Sequence, residues 1–131
     1  MKTLAAILVS TSSPLEVDEI EIPRLLKGQI LVEISFSGVC GTQVMEVDGK
    51  RGVDKWLPHC LGHEAIGKVI EKHSSVQKVV EGDQVILSWI KSKGIEAGGC
   101  TYNWKGRTVN AGAVTTFQKH AVVSENRIVK M

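Results

Sequence analysis

The apolar residues of this chain gather in short runs broken by Gly, Pro and acidic turns, and the runs have the length and period of β-strands. Residues 3–9, "TLAAILV", form one continuous apolar run and read as a buried first strand. Residues 15–22 mix β-branched side chains with acids until Pro23 stops them. After the turn in "LLKGQI", the segment 30–37, "ILVEISFS", sets Ile30, Val32, Ile34 and Phe36 on one face and mainly polar residues on the other. Segment 38–52 is bracketed by Gly38 and Gly52, and a short helix is predicted in it, opening near Thr42. Residues 65–72 form a further strand with Gly67 inside it, the mark of a bulge or a close backbone approach. A turn at 81–83 feeds the apolar strand 84–90. From 91 to 112 the periodicity vanishes among five glycines, and the segment reads as loop. Strand composition returns at 114–123 and 127–131. Many short strands with little helix predict an all-β barrel or sandwich, and no composition shift divides residues 1–131 into more than one domain.

Composition narrows the function classes. A chain of 131 residues buries about two-thirds of the surface its unfolded form exposes, so a core forms without staples. Sixteen Lys plus Arg against 14 Asp plus Glu leave +2, with the basic residues scattered, so nucleic acid is not an expected partner. The three cysteines, Cys40, Cys60 and Cys100, are an odd number at wide spacing and do not make a secreted disulfide framework. A reducing cytoplasm is the expected compartment, with the thiols free or on metal. The amino-terminal run from Leu4 to Val9 is shorter than a signal-peptide core of about 7 to 15 residues, and no A-x-A site follows. No run approaches the length of a transmembrane helix, so no membrane partner is expected.

The candidate chemistry lies in two glycine-flanked stretches, "GVCGT" and "CLGHEAIG". Cys40 sits between glycines that leave its sulfur open to approach, and reads either as a small buried hydrophobe or as a ligand or nucleophile. Cys60 and His63 form C-x2-H, half of a zinc site at best, and in an extended segment they face opposite ways. Glu64 reads either as a solvated charge or as a carboxylate behind a metal. His59, His73 and His120 have no partner in the sequence, and a surface position is expected for each. No G-x-G-x-x-G, G-x-S-x-G or P-loop occurs.

Together, "GVCGT" and "GHEAIGKVIEKHSSVQKVVEGDQV" resemble the zinc-containing alcohol dehydrogenases of the medium-chain dehydrogenase/reductase superfamily. The second stretch follows that family's G-H-E-x-x-G-x-V signature through Gly62, His63, Glu64, Gly67 and Val69, then its G-D-x-V turn at Gly82, Asp83 and Val85. The resemblance covers nearly the whole chain and implies a GroES-like, partly open β-barrel, the catalytic domain of those enzymes. It implies Cys40 and His63 as two of three protein ligands to a catalytic zinc, with Glu64 as the acid behind the metal. Thr42 is implied as the hydroxyl that hydrogen-bonds the alcohol substrate and begins a proton relay. Zinc in that role holds the substrate oxygen as a Lewis acid, so that an alkoxide forms near neutral pH and expels hydride to NAD or NADP.

The departures refine these expectations. His73 stands where the signature usually has Gly or Ala and Gln43 where Asp or His is frequent, with neither expected to touch the ligands, and Met45 stands where some members carry a relay histidine. Segment 91–112 holds only Cys100 where many relatives carry four cysteines, so no structural zinc is expected. The third zinc ligand and the Rossmann domain of the family lie outside these residues. The chain is therefore expected, alone, neither to bind nicotinamide nor to turn over an alcohol. Two rival readings are a non-enzymatic GroES-like binding or assembly module and a zinc-independent reductase of the same superfamily. Cys40 and His63 together weigh against both. Which alcohol, which nucleotide and whether the parent is a homo-oligomer stay open.

Overall fold

The computed structural model describes residues 1–131. Nine strands and one short helix follow in the order β1 (Lys2–Ile7), β2 (Glu16–Glu21), β3 (Gln29–Ser37), α1 (Gly41–Val47), β4 (Glu64–Lys72), β5 (Gln84–Ser88), β6 (Cys100–Trp104), β7 (Arg107–Ala111), β8 (His120–Ser124) and β9 (Ile128–Lys130), with a 3-10 turn at Glu125–Arg127. They make a four-stranded sheet, β1-β2-β6-β7, and a five-stranded sheet, β8-β3-β4-β5-β9. Isolated bridges at Ala5–Gln118, Leu8–His59 and His59–Asn110 lace the segments around them together. The architecture is the all-β, partly open GroES-like barrel expected from the sequence.

Two cores fill it. One gathers Ile30, Val32, Val69, Val85, Leu87 and Ile128 around the five-stranded sheet. The other gathers Ile7, Ile20, Leu31, Tyr102, Trp104 and Val109. Strand β3 lies between them, so Ile30 and Val32 face one core while Leu31 faces the other, and the expected polar face of this strand is apolar at its start. Phe36, expected on the inner face, is 76% exposed. The register of β3 against β4 shifts between Ile34 and Phe36, and such an irregularity turns the next side chain outward. Gly67 meets its expectation: a Cβ there would stand 2.5 Å from the Glu33 carbonyl oxygen.

The segment 91–112 is not all loop. It contains the β6–β7 hairpin, whose Tyr102, Trp104, Val109 and Ala111 point into the second core. The hairpin reverses at Lys105 and Gly106, with φ of 51° and 89°, the two consecutive positive values that a tight twisted turn requires. The Tyr102 hydroxyl accepts the Val122 N–H at 2.8 Å and ties this hairpin to β8. Below it, the Glu125 carboxylate accepts the backbone N–H groups of Ile95, Gln77 and Lys78 at 2.7, 3.0 and 3.1 Å. One buried acid thereby fastens two chain segments that lie outside the strands. Its burial opposes the charge, but these three donors outweigh that and hold the Glu125 carboxyl below its ordinary range.

Candidate metal and substrate site

The site is assembled where β3 hands over to α1 and where the chain enters β4. The short helix expected to open near Thr42 begins at Gly41, and Cys40 is its N-cap, in an extended conformation. The Cys40 sulfur accepts the Thr42 N–H at 3.5 Å, and the Cys40 N–H donates to Gln43 Oε1 at 2.7 Å, a reciprocal cap that fixes the first turn. The cap sets the Cys40 sulfur 3.4 Å from the Thr42 hydroxyl. Thr42 acts on the thiol first through its hydroxyl and then through its amide. Against partial burial and the nearby Glu64 carboxylate, these contacts hold the Cys40 thiol below the usual thiol range.

On the facing segment Gly62 has φ +91°, a backbone that L side chains rarely adopt, and a Cβ there would collide with Thr116 and Phe117. The turn it permits delivers His63 and Glu64 to the start of β4. Gln43, expected to touch neither ligand residue, touches both: besides its bond to Cys40, its Nε2 lies 3.1 Å from His63 Nδ1, while the His63 ring sits 6.3 Å from that of Trp89, tilted at 55°. Glu64 lies over Gly38, where a Cβ would stand 2.6 Å from its Oε1; the missing side chain makes the room that the carboxylate occupies beside Cys40.

A cavity of about 1060 Å³ opens between α1, the 51–63 segment and the β6–β7 hairpin of the four-stranded sheet. Thr42, Gln43, Glu46, Trp56, His59 and His63 are in its wall. Cys40 and Glu64 are outside that wall, Cys40 reaching it through Thr42. The ligand-type atoms that converge within 4.8 Å of one another are those of Glu46, Asp54 and His59, not those of Cys40, His63 and Glu64.

His59 is a correction to the sequence reading. It is buried, not at the surface, with Nδ1 2.8 Å from the Cys60 carbonyl and Nε2 2.6 Å from Asp54 Oδ2. Burial works against the Asp54 carboxylate, yet the His59 ring and the Trp56 N–H outweigh it and hold Asp54 below its ordinary value. Linear spacing carries no signal for this pair; the bridges of His59 to Leu8 and Asn110 bring the ring inside. His73 and His120 are also half-buried, against Ser75 and against Thr3 and Glu33. The other two thiols differ from Cys40. Burial pushes Cys60 up to about 12 and Cys100 up to about 11. Met45, at the position of the relay histidine, is 47% exposed.

The sequence model of the alcohol dehydrogenase GroES-like domain matches residues 26–131. The chain belongs to this family. Among curated alcohol dehydrogenase relatives, it is 34% identical over 103 residues to the alcohol dehydrogenase of Geobacillus stearothermophilus, a match covering 79% of this chain and 30% of that protein. It is 34% identical over 125 residues to the S-(hydroxymethyl)glutathione dehydrogenase of Photobacterium damsela subsp. piscicida, covering 95% of this chain and 32% of the relative. The barrel superposes on the benzyl alcohol dehydrogenase of Acinetobacter calcoaceticus with a TM-score of 0.77 at 23% identity, over 100% of this chain and 41% of that one, a likeness of fold. The GroES-like chain thus spans about a third of the curated relatives it matches. No helix in it is long and apolar enough to cross a membrane.

Proposed function

We propose that this chain is the catalytic-domain part of a zinc-dependent alcohol or polyol dehydrogenase, whose substrate hydroxyl is oxidised by hydride transfer to NAD or NADP held outside these residues. Cys40 and His63 are the metal ligands in this reading, Glu64 is the acid behind them, and Thr42 binds the substrate. The donor set suits zinc: a thiol below its usual pKa, an imidazole, and a carboxylate given room by Gly38. A bound zinc supplies Lewis-acid polarisation of the substrate oxygen.

The observation that carries the reading is the Thr42 hydroxyl, which touches the Cys40 sulfur and lines the same cavity as His63. A substrate alcohol entering that cavity meets Thr42 Oγ1 as hydrogen-bond partner beside the ligand pair. Thr42 Oγ1 accepts the hydrogen bond of the alcohol O–H, and onward transfer requires the Thr42 hydroxyl proton to leave to a further acceptor as the alcohol's proton arrives. Met45 cannot pass it on, because a thioether carries no exchangeable proton. Trp56 lines the cavity, and the Trp89 ring lies 6.3 Å from that of His63.

Cobalt(II) titration of the purified chain tests the metal assignment, because a thiolate ligand gives an intense near-ultraviolet charge-transfer band. One ion per chain is expected, with the band lost in Cys40→Ser and weakened in His63→Ala. A band unaffected by Cys40→Ser would sink the assignment. Calorimetry with NAD and with NADP is expected to show no binding to this chain, and measurable binding of either would overturn its incompleteness.

A further inference from the structure

Gln43 is the buried residue between the two ligand positions, and its two amide ends can be told apart. The Cys40 backbone N–H can only donate, so the Gln43 atom 2.7 Å from it is the carbonyl oxygen. The other end, 3.1 Å from His63 Nδ1, is then the NH2 group, which also can only donate. His63 Nδ1 must therefore be the acceptor, and the single ring proton of the neutral imidazole sits on Nε2, for which the protein offers no hydrogen-bond partner.

We propose that Gln43 is a positioning residue that opposes metal capture: it holds His63 in the Nε2–H tautomer, and the amide must let go before His63 ligates. A ligand nitrogen needs its lone pair free, so binding through Nε2 moves the proton to Nδ1, with no change in net charge. That proton then points at the Gln43 NH2. Turning the amide over satisfies His63 but faces the NH2 against the Cys40 N–H, so one hydrogen bond is lost in either orientation. Binding through Nδ1 displaces the amide directly. With Gln43 3% exposed, water does not replace the lost partner. The usual arrangement around a metal-bound histidine is the reverse, an acceptor opposite the second ring nitrogen. A carboxylate at position 43 would accept from Cys40 and His63 together.

The effect on metal affinity rests on the metal site proposed above, whereas the tautomer does not. Long-range proton–nitrogen NMR of the histidine rings in the metal-free chain, at about pH 8 where free imidazole is neutral, reads the tautomer directly. The expected result is a protonated Nε2 and a bare Nδ1 for His63 in the wild type, reversed in Gln43→Glu. Cobalt(II) and zinc(II) titrations are expected to show roughly 10- to 100-fold tighter binding in Gln43→Glu. Gln43→Met, uncharged and of similar length, is expected to bind tighter than wild type as well, which separates loss of the opposing donor from added charge. Thermal melts establish that the variants fold. A proton on Nδ1 of wild-type His63, or weaker binding by a folded Gln43→Met, would overturn the proposal. Failure of every variant to bind metal would overturn the metal assignment instead, with the NMR result still deciding what Gln43 does.

Discussion

His59 and Asp54 meet at 2.6 Å inside the cavity wall, and the second nitrogen of the ring lies 2.8 Å from the Cys60 carbonyl. The contact pins the 51–58 segment to the strand-like stretch that leads into His63. Removing the carboxylate leaves a buried ring nitrogen without its partner, so Asp54→Ala is expected to cost about 1–3 kcal/mol. The Asp54 carboxyl is held below its ordinary value in the folded chain. Its stabilisation is therefore in place above the unfolded carboxylate value of about 3.9, and is lost as pH falls through the lower folded value. Urea unfolding of wild type and Asp54→Asn is expected to show a stability gap at about pH 5 that narrows toward about pH 2. An equal gap at both would show that the ion pair contributes nothing.

The three thiols should separate cleanly in reactivity. Cys40 is half-exposed with its thiol lowered, whereas Cys60 and Cys100 are pushed up to about 12 and about 11 by burial. Only the thiolate reacts. Mass-spectrometric mapping after brief iodoacetamide treatment at neutral pH is expected to find Cys40 modified at least tenfold faster than either. Glu64 raises the Cys40 thiol by its charge, so Glu64→Gln should speed Cys40 alkylation further. A slower reaction in Glu64→Gln would contradict the placement of that carboxylate beside the sulfur.

Glu125 carries more of the fold than its position after the last long strand suggests. Its two oxygens receive three backbone N–H groups from two otherwise irregular segments. Glu125→Ala strands those donors, and a loss of about 2–4 kcal/mol is expected by chemical denaturation. Glu125→Gln keeps one acceptor and turns an NH2 toward the other donors, so it should lose nearly as much. A near-neutral Glu125→Gln would show that water serves these amides as well as the carboxylate does.

The fold was legible in the sequence wherever one strand carried one apolar face. The apolar run in 84–90 and the punctuation at 81–83 needed no tertiary information, and β5 follows that turn, ending at Ser88. Strand β3 was harder, because a strand sandwiched between two cores loses its alternation and its later bulge re-aims Phe36. The β6–β7 hairpin was hidden by the surrounding glycines, although "YNWKGRTV" holds both the buried alternation and the turn. For the proposed site, Cys40 and His63 are singled out only through a motif spread over 24 positions of sequence. The Gln43 contact to His63 and the His59–Asp54 pair were not readable at all, because each depends on which atom of a side chain faces a neighbour across a loop.

Asp18 offers a test of how that hairpin is fastened to β2. Its carboxylate accepts the Trp104 indole N–H at 2.9 Å and the Glu19 amide at 2.8 Å, and Lys105 Nζ lies 3.1 Å away. The indole comes first among these in drawing the Asp18 pKa down to about 2, ahead of the Glu19 amide and of Lys105. A depressed carboxyl stabilises above its unfolded pKa of about 3.9, so the stabilisation from Asp18 should fade as pH falls from about 4 to about 2. Carboxyl NMR is expected to give a midpoint near 2 for Asp18 in the wild type. Trp104→Phe, which removes the N–H but keeps an aromatic ring in the core, should raise that midpoint toward the ordinary value. Lys105→Ala should raise it less, because an exposed ammonium is screened by water while the indole donor is held in place by packing. A larger shift in Lys105→Ala than in Trp104→Phe would make the charge, and not the buried donor, the tie between β2 and the hairpin.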